Sequence, residues 1–339
     1  MNVQAALDSR VFTKKTLTKI INNIQLPRLR IAELGWFEEK GIRTTSIEIA
    51  YRNGQVMLIP EKKRGESGTR IGERDVVTHT FKAVHLPAEA EVFADDVQNM
   101  KSWENEDDED ELKSLESLVA DKTEDGIASL EATVEFLRFG AVYGKIYGAN
   151  GNLIVDLFEK FNIKLADAQD TIDFSKVLRT QLQAAKRNSE KHQTGVKAKK
   201  FRALASPEFM DLLQENDDFV KAMDRYNNGS ALRDDVRSGI YWQEIFWEEN
   251  TEEVTKPNGQ KERFVKAGEA LLVPEGKRGL FLTRFAPADY EETVNTVGLP
   301  YYASAERKKH NKGVDLELQS NPINVCTNPL AIRRLKIKT

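Results

Sequence analysis

One stretch, residues 110–156, constrains the fold more than any other part of the sequence. Apolar residues recur three and four positions apart through residues 112–141, which predicts one face of a long helix. Acidic residues at its start suit the positive end of the helix dipole. Gly126 interrupts the pattern, so we expect a kink or break there, with the stronger helix over residues 125–142. Asn150-Gly151, between β-rich flanks, predicts a hairpin directly after the helix.

Composition limits the classes of protein to which the chain can belong. The 339 residues suffice for roughly two domains, and 40% hydrophobic with 31% charged residues indicates a soluble globular protein. A net charge of −4 gives no general affinity for polyanions. The single cysteine, Cys326, excludes an internal disulfide and is expected to be a buried structural thiol. No apolar run approaches the roughly 18 residues of a membrane span, so we expect no contact with a membrane.

The first 34 residues read as an extended, basic arm with one short helix. Leu17, Ile20, Ile21 and Ile24 form a single apolar stripe. The cations that we single out are Arg10, Lys14, Lys15 and Lys19. Two interpretations stay open: contact with a neighbouring molecule or nucleic acid, and the solvated face of an ordinary N-terminal helix.

Residues 42–86 predict a long two-stranded hairpin. Residues 42–51 and 77–86 are rich in β-forming residues, and the segment between them is charged and contains several glycines. An isolated hairpin is marginally stable in water because both edges are open and only one face can be covered. The hairpin therefore needs support, either from its own domain or from another subunit. Its tip carries Lys62, Lys63, Arg64, Arg70 and Arg74.

The rest of the chain predicts a mixed lobe and a set of closing strands. We expect a connection over residues 87–109, an N-cap at Asp173, a loop over 188–200, and a helix starting at Ser206-Pro207. Residues 240–247 predict one strand, and strands near 271–274 and 280–285 complete a mixed α+β lobe. Strands near 314–318, 323–325 and 332–337 are expected to return to the long helix and its hairpin.

The sequence offers no constellation typical of an enzyme. The four histidines are scattered, and His79 and His85 are predicted to be strand-edge residues rather than ligands. Phosphate-binding loops, nucleophile elbows and zinc spacings are absent from the sequence. We therefore predict no catalytic, metal-binding or cofactor-binding residues, and no cofactor.

Residues 271–303 carry a specific resemblance. The segment closely resembles tailed-phage major capsid proteins of the lambda-like protein E family, and the end of the chain is also similar to that family. The motif residues are Ala286, Pro287, Asp289, Tyr290, Thr293, Asn295, Gly298 and Pro300. The resemblance implies an α+β chain with the Hong Kong 97-type capsid fold. In its terms residues 1–41 are an N-terminal arm, 42–86 an extended loop, 87–169 and 301–339 a peripheral domain, and 170–300 an axial domain.

The same resemblance implies a structural role and not an enzymatic one. Copies of the chain would assemble through pentamers and hexamers into an icosahedral shell around phage double-stranded DNA. The implied partners are the chain itself, a scaffolding protein, a portal, an optional decoration protein, and DNA bound without sequence specificity. The implied location is the virion capsid, assembled in the host cytoplasm. Only about 40 residues precede the hairpin, so we expect the scaffolding protein to be a separate chain.

Opposite charges suggest one contact between copies. We expect the cations of the hairpin tip to meet acids of a neighbour, with Asp107, Asp108 and Asp110 as the candidates. Covalent Lys–Asn cross-linking of the shell is not expected. Two alternatives stay open: a minor structural or decoration protein of a phage head, and an α+β enzyme with the mixed lobe as its substrate domain.

Overall fold

The computed structural model describes residues 14–22, 29–51, 77–97, 115–193, 197–227 and 239–338. Its helices are α1 (Lys14–Ile21), α2 (Arg30–Leu34), α3 (Ala94–Val97), α4 (Leu115–Tyr143), α5 (Leu157–Lys160), α6 (Leu178–His192), α7 (Pro207–Glu215) and α8 (Asp217–Asn227). The first nine strands are β1 (Phe37–Gly41), β2 (Ser46–Tyr51), β3 (Val77–Lys82), β4 (Leu86–Phe93), β5 (Lys145–Tyr147), β6 (Leu153–Asp156), β7 (Gln169–Ile172), β8 (Phe201–Ala205) and β9 (Ile240–Trp242). The remaining strands are β10 (Ile245–Glu249), β11 (Glu253–Thr255), β12 (Lys261–Arg263), β13 (Glu269–Pro274), β14 (Phe281–Phe285), β15 (Tyr302–Arg307), β16 (Gly313–Ser320), β17 (Pro322–Cys326) and β18 (Arg333–Ile337).

The long helix is α4, and we call it the spine helix. It runs without interruption for 29 residues, so the predicted break at Gly126 is wrong. A Cβ atom at position 126 would lie 2.2 Å from Cδ1 of Leu318, a side chain that is itself buried. The glycine therefore permits close packing of strand β16 against the helix, and the helical hydrogen bonds tolerate it.

The hairpin after the spine helix is confirmed. Strands β5 and β6 pair antiparallel, with Ile146 opposite Val155 and Tyr147 opposite Leu153. Gly151 has φ +81°, a conformation that glycine adopts without steric cost. The predicted extended hairpin is confirmed where the structure describes it, because β2 and β3 form a two-stranded sheet; residues 52–76 lie outside the described residues.

The chain divides into two compact units. Unit 1 comprises Met1–Ile47, Phe81–Phe136 and Leu282–Asn324, and unit 2 comprises Glu48–Thr80, Leu137–Phe281 and Val325–Thr339.

Unit 1 contains a three-stranded antiparallel sheet in the order β15-β16-β4. Its inner face packs with apolar residues of α1 and of the spine helix in one core, which contains Leu17, Ile21, Val92, Val119, Ile127, Leu130, Ala303, Val314, Leu316 and Leu318. The prediction that residues 314–318 return to the spine helix is therefore confirmed. The prediction of a connection over residues 87–109 is wrong at its start, because β4 forms one edge of this sheet. Inner residues Leu86, Ala88, Ala90 and Val92 alternate there with exposed ones.

Unit 2 is built on a six-stranded mixed sheet in the order β7-β18-β13-β8-β10-β9. Helices α6, α7 and α8 cover one face, with Leu182, Phe209, Phe219, Trp247 and Leu272 in their common core. Ser206 caps α7 as predicted, since its Oγ accepts a hydrogen bond from the N–H of Phe209 at 3.3 Å.

Four predictions in unit 2 are wrong. Residues 240–247 form two antiparallel strands, because Gln243 and Glu244 both have positive φ and make a tight turn between β9 and β10. Helix α6 begins at Leu178 instead of near Asp173, whose carboxylate accepts from Ser175 in a local turn, and α6 continues to His192 into the predicted loop. Strand β18 pairs with β13 and β7, so this closing strand belongs to the lobe's sheet and not to the hairpin that follows the spine helix.

Candidate functional site

Residues 286–300, which hold the family motif, form one loop in unit 1 that we call the motif loop. Hydrogen bonds between backbone groups fix both of its ends. The N–H of Ala286 donates to the carbonyl of Asn321 at 2.9 Å, and the N–H of Gly298 donates to the carbonyl of Ile42 at 2.8 Å. Near the second end, the Ser320 hydroxyl donates to the carbonyl of Pro300 at 2.7 Å. The loop is therefore tied to its neighbouring strands at both ends.

Threonine hydroxyls organise the middle of the loop. The Thr293 hydroxyl is 2.7 Å from the carbonyl oxygen of Ala288, and the Thr296 hydroxyl donates to the carbonyl of Thr293 at 2.7 Å. Asn295 has φ +61°, in the left-handed region where asparagine is enriched. These local contacts give the short segment a defined shape.

A pair of buried tyrosines supports the base of the loop. The rings of Tyr290 and Tyr302 meet edge to face, with centroids 6.4 Å apart. Tyr302 Oη accepts a hydrogen bond from the N–H of Leu299, and the side chain of Gln319 accepts one from the N–H of Asp289. Burial raises the pKa of Tyr290 to about 12, so the phenol is neutral at physiological pH.

Position 298 of the motif requires glycine. A Cβ atom there would lie 2.1 Å from the carbonyl oxygen of Phe285 and 2.6 Å from the carbonyl carbon of Ala286. Both are backbone atoms that cannot rotate away. Gly41 is equally confined, because its Cβ would lie 2.0 Å from the carbonyl oxygen of Gly298. Only glycine permits these backbones to approach so closely.

The tip of the loop exposes apolar side chains that the motif did not single out. Val294 is 65% exposed, Val297 is 49% exposed and Leu299 is 41% exposed. Exposed apolar residues are ordinary when they are scattered, but three within six residues on a fixed loop indicate a contact surface. In the sequence the only sign of this surface is the presence of three apolar residues, at positions 294, 297 and 299, in a segment without helical or strand periodicity.

The outer face of the β15-β16-β4 sheet is acidic, and we call it the acidic face. Glu89 lies opposite Glu317, and Asp315 lies between Glu91 and Glu306. Four of these five side chains are exposed and that of Glu317 is half-buried. The Lys308 ammonium is 3.0 Å from Glu91 and 2.5 Å from Asp315. Sequence reasoning missed this face because it assigned residues 87–93 to a connection and not to a strand, although apolar and acidic residues alternate there.

Most of the predicted contact residues lie outside the described residues. This holds for Lys62, Lys63, Arg64, Arg70, Arg74, Asp107, Asp108, Asp110 and Arg10. Lys14 and Lys15 begin helix α1, and Lys19 on the same helix is exposed. The structure therefore brings together the motif residues, whereas the charged contacts remain predictions.

Cys326, His79 and His85 make structural contacts. Cys326 is buried, as predicted, and burial raises the pKa of its thiol to about 12. His79 packs its ring edge to face on Phe161, and the His85 ring is 2.8 Å from the side chain of Asn321. In the described part of the chain, no group of three His, Cys, Asp or Glu side chains could hold a metal ion. Among the same residues, no helix is long and apolar enough to cross a membrane.

Comparison with known proteins identifies the family. The sequence model of the family described as phage major capsid protein E matches residues 13–337. The major capsid protein of Pseudomonas phage KPP10 is 28% identical over 291 residues, which cover 80% of this chain and 82% of that protein.

Solved structures agree on the fold. A putative capsid protein of a prophage from E. coli CFT073 has a TM-score of 0.54 at 15% identity, over 100% of this chain and 99% of that one. A phage-related protein from Bordetella bronchiseptica RB50 has a TM-score of 0.55 at 11% identity, over 97% of both chains. The mature capsid of bacteriophage PhiM1 gives 0.51 at 13% identity, over 89% and 85%.

These findings exclude the two alternatives that the sequence left open, a minor structural or decoration protein and an α+β enzyme. The family and the relative are structural proteins of the phage head and not enzymes, and the family is that of the major and not a minor capsid component. The virion capsid is accordingly the location of the protein. With a family match over almost its whole length and the Hong Kong 97-type fold of its structural neighbours, this chain belongs to the phage major capsid protein E family.

Proposed function

We propose that copies of this chain assemble through pentamers and hexamers into an icosahedral shell that encloses phage double-stranded DNA. Family membership supports this proposal, and one structural observation carries it: β2 and β3 pair only with each other among the described strands. Such a ribbon has two open edges and is marginally stable alone. A neighbouring subunit supplies the support in a shell. Head-to-tail contacts of one kind then generate closed rings.

The domain assignment of the sequence remains part of this proposal. In it the extended loop (42–86) reaches neighbouring copies, and the N-terminal arm (1–41) contacts them through its cations Arg10, Lys14, Lys15 and Lys19, while Leu17 and Ile21 of the arm pack in the core of their own subunit. The peripheral domain (87–169 and 301–339) and axial domain (170–300) form the body. Strand β18, from the end of the chain, pairs with β13, so the two proposed domains share one sheet.

The proposed partners beyond the chain itself follow from the same role. A separate scaffolding protein sets the size of the shell during assembly in the host cytoplasm. A portal occupies one vertex, and a decoration protein is an optional addition to the outside. The packaged DNA is held without sequence specificity, in keeping with a net charge of −4.

Electron microscopy of the expressed protein tests the proposal. Negative-stain images of the chain produced with a scaffolding protein are expected to show closed shells of uniform diameter. The chain alone is expected to give rings of five and six copies or irregular shells. Only discrete monomers or dimers under both conditions, from a folded protein, would contradict the proposed function.

Charge reversal tests the role of the hairpin tip. The double variant Arg70→Glu, Arg74→Glu is expected to lose most shell formation while the subunit stays folded, because its tip would repel the acids it meets. The matched control is Arg179→Glu, Arg187→Glu on helix α6, which makes the same change in net charge at two exposed positions. Sedimentation separates shells from subunits. Equal assembly of the two variants would remove the tip from the proposal.

The shell is also expected to lack covalent cross-links. Mass spectrometry of shells dissolved in denaturant should give the mass of a single chain. A ladder of multiples that survives a reducing agent would show that cross-links form.

A further inference from the structure

We propose that the acidic face, together with the motif loop at its end, is the docking surface for the basic hairpin tip (residues 62–74) of a second copy. The inference rests on the proposed function, because it requires that copies assemble. It names the acceptor surface on the receiving subunit, and that surface differs from the acidic run at residues 107–110 suggested by sequence alone.

The register of the sheet provides the first argument. Carboxylates face each other across neighbouring strands in two successive rows, Glu89 with Glu317, and Glu91 with Asp315 and Glu306. Like charges directly opposite each other destabilise a sheet. The inner residues of the same strands pack in the core of unit 1, so the strands cannot shift register to separate the charges. A basic partner would convert this repulsion into attraction.

The distribution of cations around the face provides the second argument. Lys308 reaches Glu91 and Asp315, and the turn between β15 and β16 adds Lys309 and Lys312 at the same end of the sheet. The row of Glu89 and Glu317 lies further along the strands, away from that turn. The neighbour of Glu317 there is the Gln319 amide, which donates to it at 3.3 Å. The carboxylates of Glu89 and Glu317, at the end of the face away from the turn, are therefore the least neutralised by nearby cations.

The motif loop borders that other end and provides the third argument. Asp289 is hydrogen-bonded to Gln319 through its N–H, and Tyr290 packs on Tyr302, the residue opposite Gln319 on β15. The same loop carries the exposed side chains of Val294, Val297 and Leu299. A surface that combines apolar side chains with a charged border is typical of specific protein contacts.

Charge and composition together select the occupant. Residues 62–74 contain five cations, Lys62, Lys63, Arg64, Arg70 and Arg74, against two acids, and Ile71 follows directly after Arg70. The segment thus offers both kinds of group that the surface requires. The basic helix α1 is a weaker candidate, because Leu17 and Ile21 pack on the inner face of the same sheet in its own subunit.

A charge-swap experiment tests the assignment. Glu89→Lys with Glu317→Lys, and separately Arg70→Glu with Arg74→Glu, are each expected to reduce the yield of shells by roughly tenfold or more. The chain that carries all four substitutions is expected to recover shells, because the attraction is restored with its direction reversed. The rival acceptor is tested by combining Asp107→Lys and Asp108→Lys with the same tip reversal, which is expected to give no recovery.

A milder variant guards against simple misfolding. Glu89→Gln with Glu317→Gln removes the like-charge pair and is expected to raise the Tm of the isolated subunit while slowing assembly. A merely structural role would move both measurements in the same direction. Rescue by the 107–108 reversal, or normal shells from the Glu89→Lys, Glu317→Lys variant, would overturn this inference and leave the proposed function standing. Failure of the wild-type chain to form shells would instead count against the proposed function.

Discussion

The two main sheets of the molecule differ in how far their residues are buried and their charges paired. In the six-stranded sheet of unit 2, all six residues of β13 are buried, and its neighbours on both sides belong to the same unit. Its charged residues are paired within the sheet, as in the two hydrogen bonds of 2.6 Å from Arg334 to Glu269. In the three-stranded sheet of unit 1, one face is apolar and buried and the other presents carboxylates to the outside. The charged groups of the first sheet are thus paired within the subunit, whereas most carboxylates of the second are exposed.

The comparison predicts its largest effect in the core of unit 2. Trp247 is completely buried, stacks near Phe209 with centroids 5.8 Å apart, and donates its indole N–H to the carbonyl of Trp242. Trp247→Ala is expected to lower the free energy of unfolding by about 3–5 kcal/mol, because it leaves a large cavity. Urea unfolding of the subunit measures the change.

The control lies on the neighbouring strand. Tyr241 is 55% exposed and its ring lies against that of Phe246, with centroids 4.8 Å apart, so Tyr241→Ala is expected to cost only about 0.5–1.5 kcal/mol. A similar loss in both variants would contradict the description of Trp247 as part of the buried core under helices α6, α7 and α8.

The next effect concerns the base of the motif loop. Gly298→Ala is expected to cost about 1–3 kcal/mol, because the added methyl group meets the backbone of Phe285 and Ala286. Assembly should suffer more than folding, since the exposed tip of the loop would shift. Gly148→Ala is the control, because the three atoms nearest to a Cβ there belong to the flexible side chain of Asn152 and not to the backbone. An unchanged Tm and normal shells for Gly298→Ala would show that the loop is not held as described.

The smallest effect is expected at the hairpin after the spine helix. Asp156 caps helix α5 by accepting from the N–H groups of Phe158 and Glu159, and its carboxylate is 2.7 Å from the Lys145 ammonium. Burial raises the pKa of Asp156, but the lysine and the two N–H groups outweigh it and hold the pKa below its ordinary value. Asp156→Asn keeps a capping side chain and loses the ion pair, so it should cost about 0.2–1 kcal/mol at neutral pH.

The stabilisation by Asp156 depends on pH, and the direction of its pKa shift determines where the stabilisation is lost. The folded pKa of Asp156 is lower than its unfolded pKa of about 3.9, so the stabilisation is present above that pH and is lost as the pH falls through the folded pKa. The unfolding temperatures of wild type and Asp156→Asn should therefore differ at pH 7 and converge as the pH falls through the folded pKa. A difference that persists unchanged in acid would mean that the ion pair contributes nothing.

Local signals in the sequence predicted local structure well. Ser206-Pro207 fixed the start of α7, and Asn150-Gly151 fixed a hairpin, because capping and turn chemistry depend on few neighbours. The turn at Gln243 and Glu244 was missed because neither residue is typical of positive φ. Gly126 was misread because its reason is the approach of Leu318, which lies almost 200 positions later in the chain.

In the candidate site, too, the sequence did not predict contacts between residues that lie far apart in the chain. The family resemblance predicted the motif residues, and the structure supplies physical reasons for Gly298 and Tyr290 in contacts that only folding creates. The acidic face depends on the pairing of three strands far apart in sequence. Alanine, proline and glutamate are poor strand formers, so residues 86–93 gave a weak signal for the strand that completes it.

The burial of Cys326 has a practical consequence. The chain has one cysteine, and its thiol is both enclosed and, with a pKa of about 12, protonated at neutral pH. Maleimide dyes should therefore leave the native protein unmodified. A cysteine introduced at any exposed position would become the sole labelling point on each subunit, so fluorophores could be arrayed over a particle at one chosen address per copy.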